Sequence, residues 1–382
     1  MWSDQKGYDI SYVNGTLTVN KLALTGSIAA GSSTYGSVLA PGTATMTNVV
    51  GSDVLTTTTA VDTTGNLSTS GKLKAGTYNN KEYISALGGA DAGNYTYANV
   101  LGNYTVNKLA LTGTAIALSS STYGSSLNPG AVTFGIIVAG DTVTDTASVN
   151  TSILSTSGKP IAGTYTQTAG AIGGADAGNY RFAGFTSGLN YTINKANLLV
   201  HGLTAINKTY DATTAVTLGG TAAVTPLTGD VVTIGGTASG TFADKNAGTG
   251  KAVTVIGNII SGTDAGNYNL IQQTGLTADI YKVPLTITVM ALKNKKRYDG
   301  TTAAAAIPKI ISGILYGTDT ANFIETYNNA NIGRHKTLTV SGIVNDGNGG
   351  DNYVYTFIDN YRGKIKMNWP DLLLRILIYL TD

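Results

Sequence analysis

Side chains able to do chemistry are few in this chain. Cysteine is absent, and the two histidines, His201 and His335, stand 134 residues apart. A metal centre or a general acid–base pair needs partners that converge, and that spacing, unrelated to the repeat period below, offers none. Both are expected as surface residues. Gly248-Thr249-Gly250-Lys251 suggests a phosphate loop at a glance. That motif requires a glycine where Lys245 stands and a Ser or Thr where Ala252 stands, so the run reads as a Gly-rich hairpin turn. The basic run Lys293-Asn294-Lys295-Lys296-Arg297 reads as a solvated loop or a protected strand edge, with contact to an anionic glycan or lipid surface as the alternative.

The most specific polar signal is a pentapeptide. Asp91-Ala92-Gly93-Asn94-Tyr95 returns as Asp176-Ala177-Gly178-Asn179-Tyr180 and Asp264-Ala265-Gly266-Asn267-Tyr268, then decays to Gly350-Asp351-Asn352-Tyr353. Calcium binding by its Asp and Asn would need about six to eight oxygens from clustered acids, and acids are sparse here. The structural reading is a tyrosine corner of an immunoglobulin-like sandwich. Tyr95, Tyr180, Tyr268 and Tyr353 would return their hydroxyls to backbone a few residues upstream. Asp91, Asp176 and Asp264 would close Asx-turns, with the glycine at positive φ. Two residues beyond each tyrosine come Tyr97, Phe182, Leu270 and Tyr355, on the same strand face and therefore expected in the core.

These corners must be carried by a repeated element. Lys21, Lys108, Lys195 and Lys282 stand at a constant interval of 87 residues, each ending a run such as Tyr104-Thr105-Val106-Asn107-Lys108. A period this long is a small domain, not one coil of a solenoid, whose units run to roughly 20–50 residues. Asp53, Asp141, Asp230 and Asp319 keep nearly the same beat, as do Thr34-Tyr35-Gly36, Thr122-Tyr123-Gly124, Thr209-Tyr210-Asp211 and Arg297-Tyr298-Asp299. Alternating runs such as Leu285-Thr286-Ile287-Thr288-Val289 and Thr337-Leu338-Thr339-Val340, broken by Gly, Asn, Asp and Ser clusters, are the pattern of half-buried strands. The expected fold is all-β: tandem immunoglobulin-like β-sandwich modules over 21–107, 108–194, 195–281 and 282–366. Residues 1–20 read as the end of a preceding module, and 367–382, unlike anything upstream, as a divergent or truncated tail.

Each module is expected to run into the next without a linker, because Thr-Val-Asn-Lys passes directly into Leu109-Ala110-Leu111-Thr112 and its counterparts, where a flexible tether would be rich in Gly, Ser or Pro. Strands of about ten residues at ~3.3 Å each would make four such modules a rod on the order of 130 Å long. The tail's apolar run is about nine residues and carries Arg375, short of the about 20 that span a bilayer, so no membrane insertion is expected. Charged residues are only 12% and the net charge is +2, too weak for a nucleic-acid footprint. No signal peptide is visible, although a chain beginning mid-repeat would have lost one.

The residues also carry a family resemblance. The Thr-Tyr-Gly units of residues 21–194 resemble the MBG-type repeat. Lys208-Thr209-Tyr210-Asp211-Ala212-Thr213-Thr214-Ala215 and Lys296-Arg297-Tyr298-Asp299-Gly300-Thr301-Thr302-Ala303 resemble the YDG-type repeat. Both are found in filamentous-haemagglutinin-like adhesins of Gram-negative bacteria. The resemblance implies extracellular stalk modules whose partners are neighbouring modules of one large protein and, beyond them, a host-surface glycan or protein. On this reading the chain is a non-enzymatic spacer with no cofactor, secreted or attached to the outer cell surface. The alternative is that the modules bind carbohydrate. That needs exposed aromatic platforms, for which Tyr78 and Tyr165, equivalent in the first two repeats, are the candidates, with Tyr316 and Tyr327 unassigned.

Overall fold

The computed structural model describes residues 7, 11–98, 100–289 and 294–367. Lys293, nearly all of the 367–382 tail and most of the first ten residues, Tyr8 included, lie outside the described residues. What is described is all-β, punctuated by three single-turn 3₁₀ elements at Ala92–Asn94, Ala177–Asn179 and Ala265–Asn267.

The chain divides into two compact units, one of residues 1–153 with 160–194, the other of 154–159 with 195–382. In the first unit a four-stranded sheet occurs twice. Its spatial order is Gly31–Thr34, Leu101–Asn107, Gly76–Gly88, Thr56–Val61, then again Ser119–Thr122, Phe185–Asn194, Gly163–Ala169, Ser148–Val149. The second unit repeats it as Lys208–Thr209, Leu276–Tyr281, Gly248–Ser261, Thr233–Phe242, with Ala215–Val216 added, and as Lys295–Arg297, Asn360–Lys366, Gly333–Asn345, Thr320–Tyr327. In all four the first strand is an edge and pairs parallel with the second. Lys295–Arg297 is thus an edge strand, as its lysines suggested.

A second pairing fixes the phase of each repeat. Leu22 lies opposite Tyr95, Leu109 opposite Tyr180, Ala196 opposite Tyr268 and Val283 opposite Tyr353, all in parallel register. The residue after each boundary lysine therefore meets the pentapeptide tyrosine. Only that lysine separates the strand ending at Asn107 from the one starting at Leu109, Asn194 from Ala196, and Tyr281 from Val283.

Alternation decides what is buried. Tyr104 and Val106, Ala278 and Ile280, Val283, Leu285 and Ile287, and Leu338 and Val340 point inward while their neighbours face out. Burying a side chain the size of Ile287 or Leu338 contributes about 1.5–3 kcal/mol. In the second unit such residues form one continuous core on both sides of Lys282, including Tyr210, Val253, Ile280, Leu285, Leu338 and Tyr353. The first unit has separate clusters. One around Tyr35, Tyr104, Leu111 and Tyr180 bridges Lys108; others gather at Ile28, Ile84 and Val100 and at Ile116, Ala147 and Ala169. Tyr97, Phe182, Leu270 and Tyr355, expected in the core, are half-buried and pack against these clusters from the edge.

One local expectation is corrected. Gly248–Lys251 is not the hairpin turn but the start of the strand Gly248–Ser261, bulged against Leu276–Tyr281. The turn lies just before it, over residues 243–247, where Asp244 accepts the Asn246 backbone N–H and pairs with Lys251 at 2.5 Å.

Candidate functional site

The pentapeptide tyrosines make the same two bonds in every repeat. Each hydroxyl donates to an aspartate about forty residues upstream and accepts a backbone N–H three residues before that aspartate. Tyr95 binds Asp53 at 2.6 Å and Val50 N at 2.9 Å; Tyr180 binds Asp141 at 2.6 Å and Val138 N at 3.0 Å. Tyr268 takes Asp230 at 2.5 Å and Leu227 N at 2.9 Å, and Tyr353 takes Asp319 at 2.8 Å and Tyr316 N at 3.0 Å. This corrects the expected corner, whose partner was backbone only a few residues away. Burial and the bond to Asp141 push the Tyr180 hydroxyl far above the usual tyrosine range.

The pentapeptide aspartates also differ from expectation. Asp91, Asp176 and Asp264 make no local capping bond, and the glycine at positive φ is not the one inside the motif but the one two residues before it, Gly89 (φ 103°), Gly174 (98°) and Gly262 (115°). A Cβ at Gly174 would stand 2.5 Å from the Thr142 carbonyl oxygen, so position and conformation both require glycine.

Asp91 accepts Val54 N within its own repeat, whereas Asp176 and Asp264 also bind the repeat before their own. In the first unit Asp176 accepts the hydroxyl and the backbone N–H of Thr69, as well as Thr142 N at 2.9 Å. In the second unit Asp264 does the same with Thr156 and with Val231 N. The threonine hydroxyls and these N–H groups hold both carboxyls below the ordinary carboxylate range. Asn179 accepts Ala75 N at 2.9 Å, and Asn352 accepts Ala247 N at 2.8 Å.

Thr69 and Thr156 sit in loops that sequence reading passed over. Leu-Ser-Thr-Ser-Gly-Lys stands unchanged at residues 67–72 and 154–159, separated by the same 87 residues, and that identity was the available signal. Each loop is closed by Ser68 N to Lys72 O or Ser155 N to Lys159 O, with Gly71 and Gly158 at φ 74° and 75°.

The Thr-Tyr-Gly marker completes the joint. The Tyr35 hydroxyl reaches Asp141 at 2.5 Å, on the same Oδ2 that Tyr180 uses; Tyr210 reaches Asp319 Oδ2 at 3.0 Å, beside Tyr353. One carboxylate oxygen thus receives two tyrosines, one from its own repeat and one from the repeat before. The rings meet edge to face, Tyr35 on Tyr180 at 5.4 Å and 74°, Tyr210 on Tyr353 at 5.6 Å and 72°. In the fourth repeat, where the pentapeptide has decayed, the buried Asp346 collects the N–H groups of Asn348, Gly350 and Asn352, and Lys245 approaches Asp319 at 3.7 Å while lying over the Tyr210 ring.

The other candidates are occupied. Tyr78 and Tyr165 are half-buried and donate their hydroxyls to the carbonyls four residues back, Lys74 and Ile161, at 2.7 and 2.6 Å. The local corner foreseen for Tyr95 and its counterparts is found at these two. Tyr327 is buried and bound to the Asn294 carbonyl, and Tyr316 packs on Tyr210. His201 and His335 are exposed. Lys208 is caged by Asp211, Thr213 and the Phe242 ring, and Lys296 by Asp299, Thr301, Ala303 and the Tyr327 ring. The Lys296 ammonium draws Asp299 down to about 2. Among the described residues no three His, Cys, Asp or Glu side chains gather as metal ligands, and no helix is long and apolar enough to cross a membrane. A hollow of about 620 Å³ beside residues 305–310 is lined by Ala, Ile, Pro and Lys, without an aromatic ring.

No curated protein matches the chain. The YDG domain family model matches it twice, over residues 194–275 and 281–359, the segments that carry the two caged lysines and the Tyr210–Asp319–Tyr353 joint.

Proposed function

We propose that the chain is a non-enzymatic spacer: a run of tandem immunoglobulin-like sandwiches, one per 87-residue repeat, forming a stiff stalk segment of a secreted or surface-attached adhesin of a Gram-negative bacterium. The observation that carries this reading is the use of the repeated polar residues. Aspartate, asparagine and tyrosine recur with the period, and their side chains link successive repeats instead of converging on a cavity. The single-residue passage from strand to strand at Lys108 and Lys282 supports the same view, since a joint with no slack and several directional bonds resists bending. The YDG matches and the resemblance of the first two repeats to the MBG type favour the adhesin setting.

Small-angle scattering of residues 1–382, together with a glycan array, tests the proposal. A linear particle with a longest dimension on the order of 130 Å, as strands of about ten residues would give, and no saturable sugar binding are expected. A compact particle would overturn the stalk, and saturable sugar binding lost on Tyr78→Ala and Tyr165→Ala would replace it with the lectin reading.

A further inference from the structure

The outer face of the four-stranded sheet in the fourth repeat carries a positive charge that the other three repeats lack. Lys295 lies opposite Lys364, and Arg297 opposite Lys366, in the parallel pairing of Lys295–Arg297 with Asn360–Lys366. On the other side of Lys364 comes Arg334, because Gly333 is opposite Ile365. Arg362, two residues before Lys364, shares its face. Six of the chain's 24 lysines and arginines thus stand on one face of three neighbouring strands. Among the described residues none of the six has a carboxylate partner; Lys296, which pairs with Asp299 at 2.8 Å, points to the other face, over the Tyr327 ring.

The same row can be read in every repeat. Lys295, Lys364 and Arg334 occupy the places of Ser32, Thr105 and Thr77 in the first, of Ser120, Thr192 and Thr164 in the second, and of Asn207, Asp279 and Thr249 in the third. In all four rows the two outer members are exposed and the middle one is half-buried. Exposure of this face is therefore a property of the sheet, found equally where another repeat follows. Positive charge is the property of the fourth repeat alone.

The fold does not ask for that charge. Three repeats build the row from hydroxyls, an amide and one aspartate, and like charges directly opposite one another destabilise a sheet. Repulsion, from Arg334 first and from Lys366 and Lys295 as well, lowers the Lys364 ammonium from its ordinary value. Edge protection accounts for Lys295 and Arg297, but Arg362, Lys364 and Lys366 are on the second strand and Arg334 is on the third. A repulsion tolerated in one repeat, where the others place no cation, points to an anionic partner.

The arrangement selects among such partners. Cations about 4.8 Å apart across the strands and about 6.6 Å apart along them form an array spread over a face. A single polymer chain would meet it along one row, whereas a plane of headgroup phosphates would meet the whole. Tyr361, 65% exposed beside Arg362, adds a ring of the kind that settles at headgroup level. We propose that this face of the fourth repeat docks on the surface of a bilayer rich in anionic phospholipid. Each cation near such a surface adds to the attraction, and salt screens it. The contact is peripheral, and it holds whether or not the chain serves as a stalk.

The test uses the full chain and two kinds of vesicle, phosphatidylcholine alone and equal parts of phosphatidylcholine and phosphatidylglycerol. Co-sedimentation is expected with the mixed vesicles and not with the neutral ones, falling as salt is raised. Lys295→Ser, Arg334→Thr and Lys364→Thr together install the row of the first two repeats. That variant should lose binding several-fold without a lower melting temperature. Lys21→Gln, Lys108→Gln and Lys195→Gln together remove the same charge from exposed sites elsewhere and should leave binding unchanged. Failure to bind, equal binding to both kinds of vesicle, or equal loss in the two triple variants would each overturn the proposal. So would capture by a sulfated polysaccharide or duplex DNA under conditions that leave the mixed vesicles unbound, which gives the face to another polyanion.

Discussion

The joint across Lys108 and the joint across Lys282 have the same geometry and rest on different support. Both place two tyrosines on one carboxylate oxygen with rings edge to face. Around the first lies an intact pentapeptide, with Asp176 hooked by the serine-rich loop of the repeat before and the hydrophobic clusters kept apart. Around the second the pentapeptide is gone, and one continuous core, the buried Asp346 and the Lys245 cation take over. The tyrosine–aspartate–tyrosine contact and the asparagine bond to the repeat before are therefore common to both joints. The Asp176–Thr69 hook is replaced where packing is extensive.

The largest expected effect exploits the difference in cores. Leu338→Ala removes a fully buried side chain from the continuous core and should cost about 2–5 kcal/mol. Hydrogen exchange should then rise across both halves of the second unit, from Val253 to Leu338. Ile84→Ala, in a separate cluster, should loosen its own surroundings and leave protection around Tyr35 and Tyr180 unchanged. Equal spreading in the two units would erase the distinction.

A smaller effect tests whether the asparagine hook is equivalent in the two joints. Asn179→Ala and Asn352→Ala each strand a backbone N–H, of Ala75 and Ala247, and each should cost about 1–3 kcal/mol in denaturant melts. A cost for one and none for the other would show that the joints do not share it.

Much of this was open to reading from sequence, and the part that was not has a physical reason. Period, boundary lysines and all-β character follow from local patterns: Leu285-Thr286-Ile287 alternates because one face is wet. The recurrence of Asp53, Asp141, Asp230 and Asp319 with the tyrosines was also visible. Their pairing was not, because a hydrogen bond spanning some forty residues, or 109 in the case of Tyr210 and Asp319, leaves no spacing rule in one sequence. The tyrosine-corner pattern instead drew the hydroxyl to nearby backbone, and that geometry occurs at Tyr78 and Tyr165, set aside as sugar contacts.

Acid should separate the hooks from the packing, with a smaller effect again. The Thr69 hydroxyl and neighbouring N–H groups depress the Asp176 carboxyl, so it contributes stability above the unfolded value of about 3.9 and loses it as pH falls through the lower folded value. Thermal melts below about pH 4 should therefore fall more steeply for the native chain than for Asp176→Asn. Parallel curves would remove Asp176 from the joint's energetics.

The central claim, that the repeated tyrosines and aspartates fasten one repeat to the next, is tested most directly by a double-mutant cycle between Tyr210→Phe and Asp319→Asn, residues of successive repeats. Denaturant melts of the two single variants and the double variant should give a coupling of about 1 kcal/mol or more, as a hydrogen bond to a buried carboxylate requires. Additivity within about 0.3 kcal/mol would contradict it.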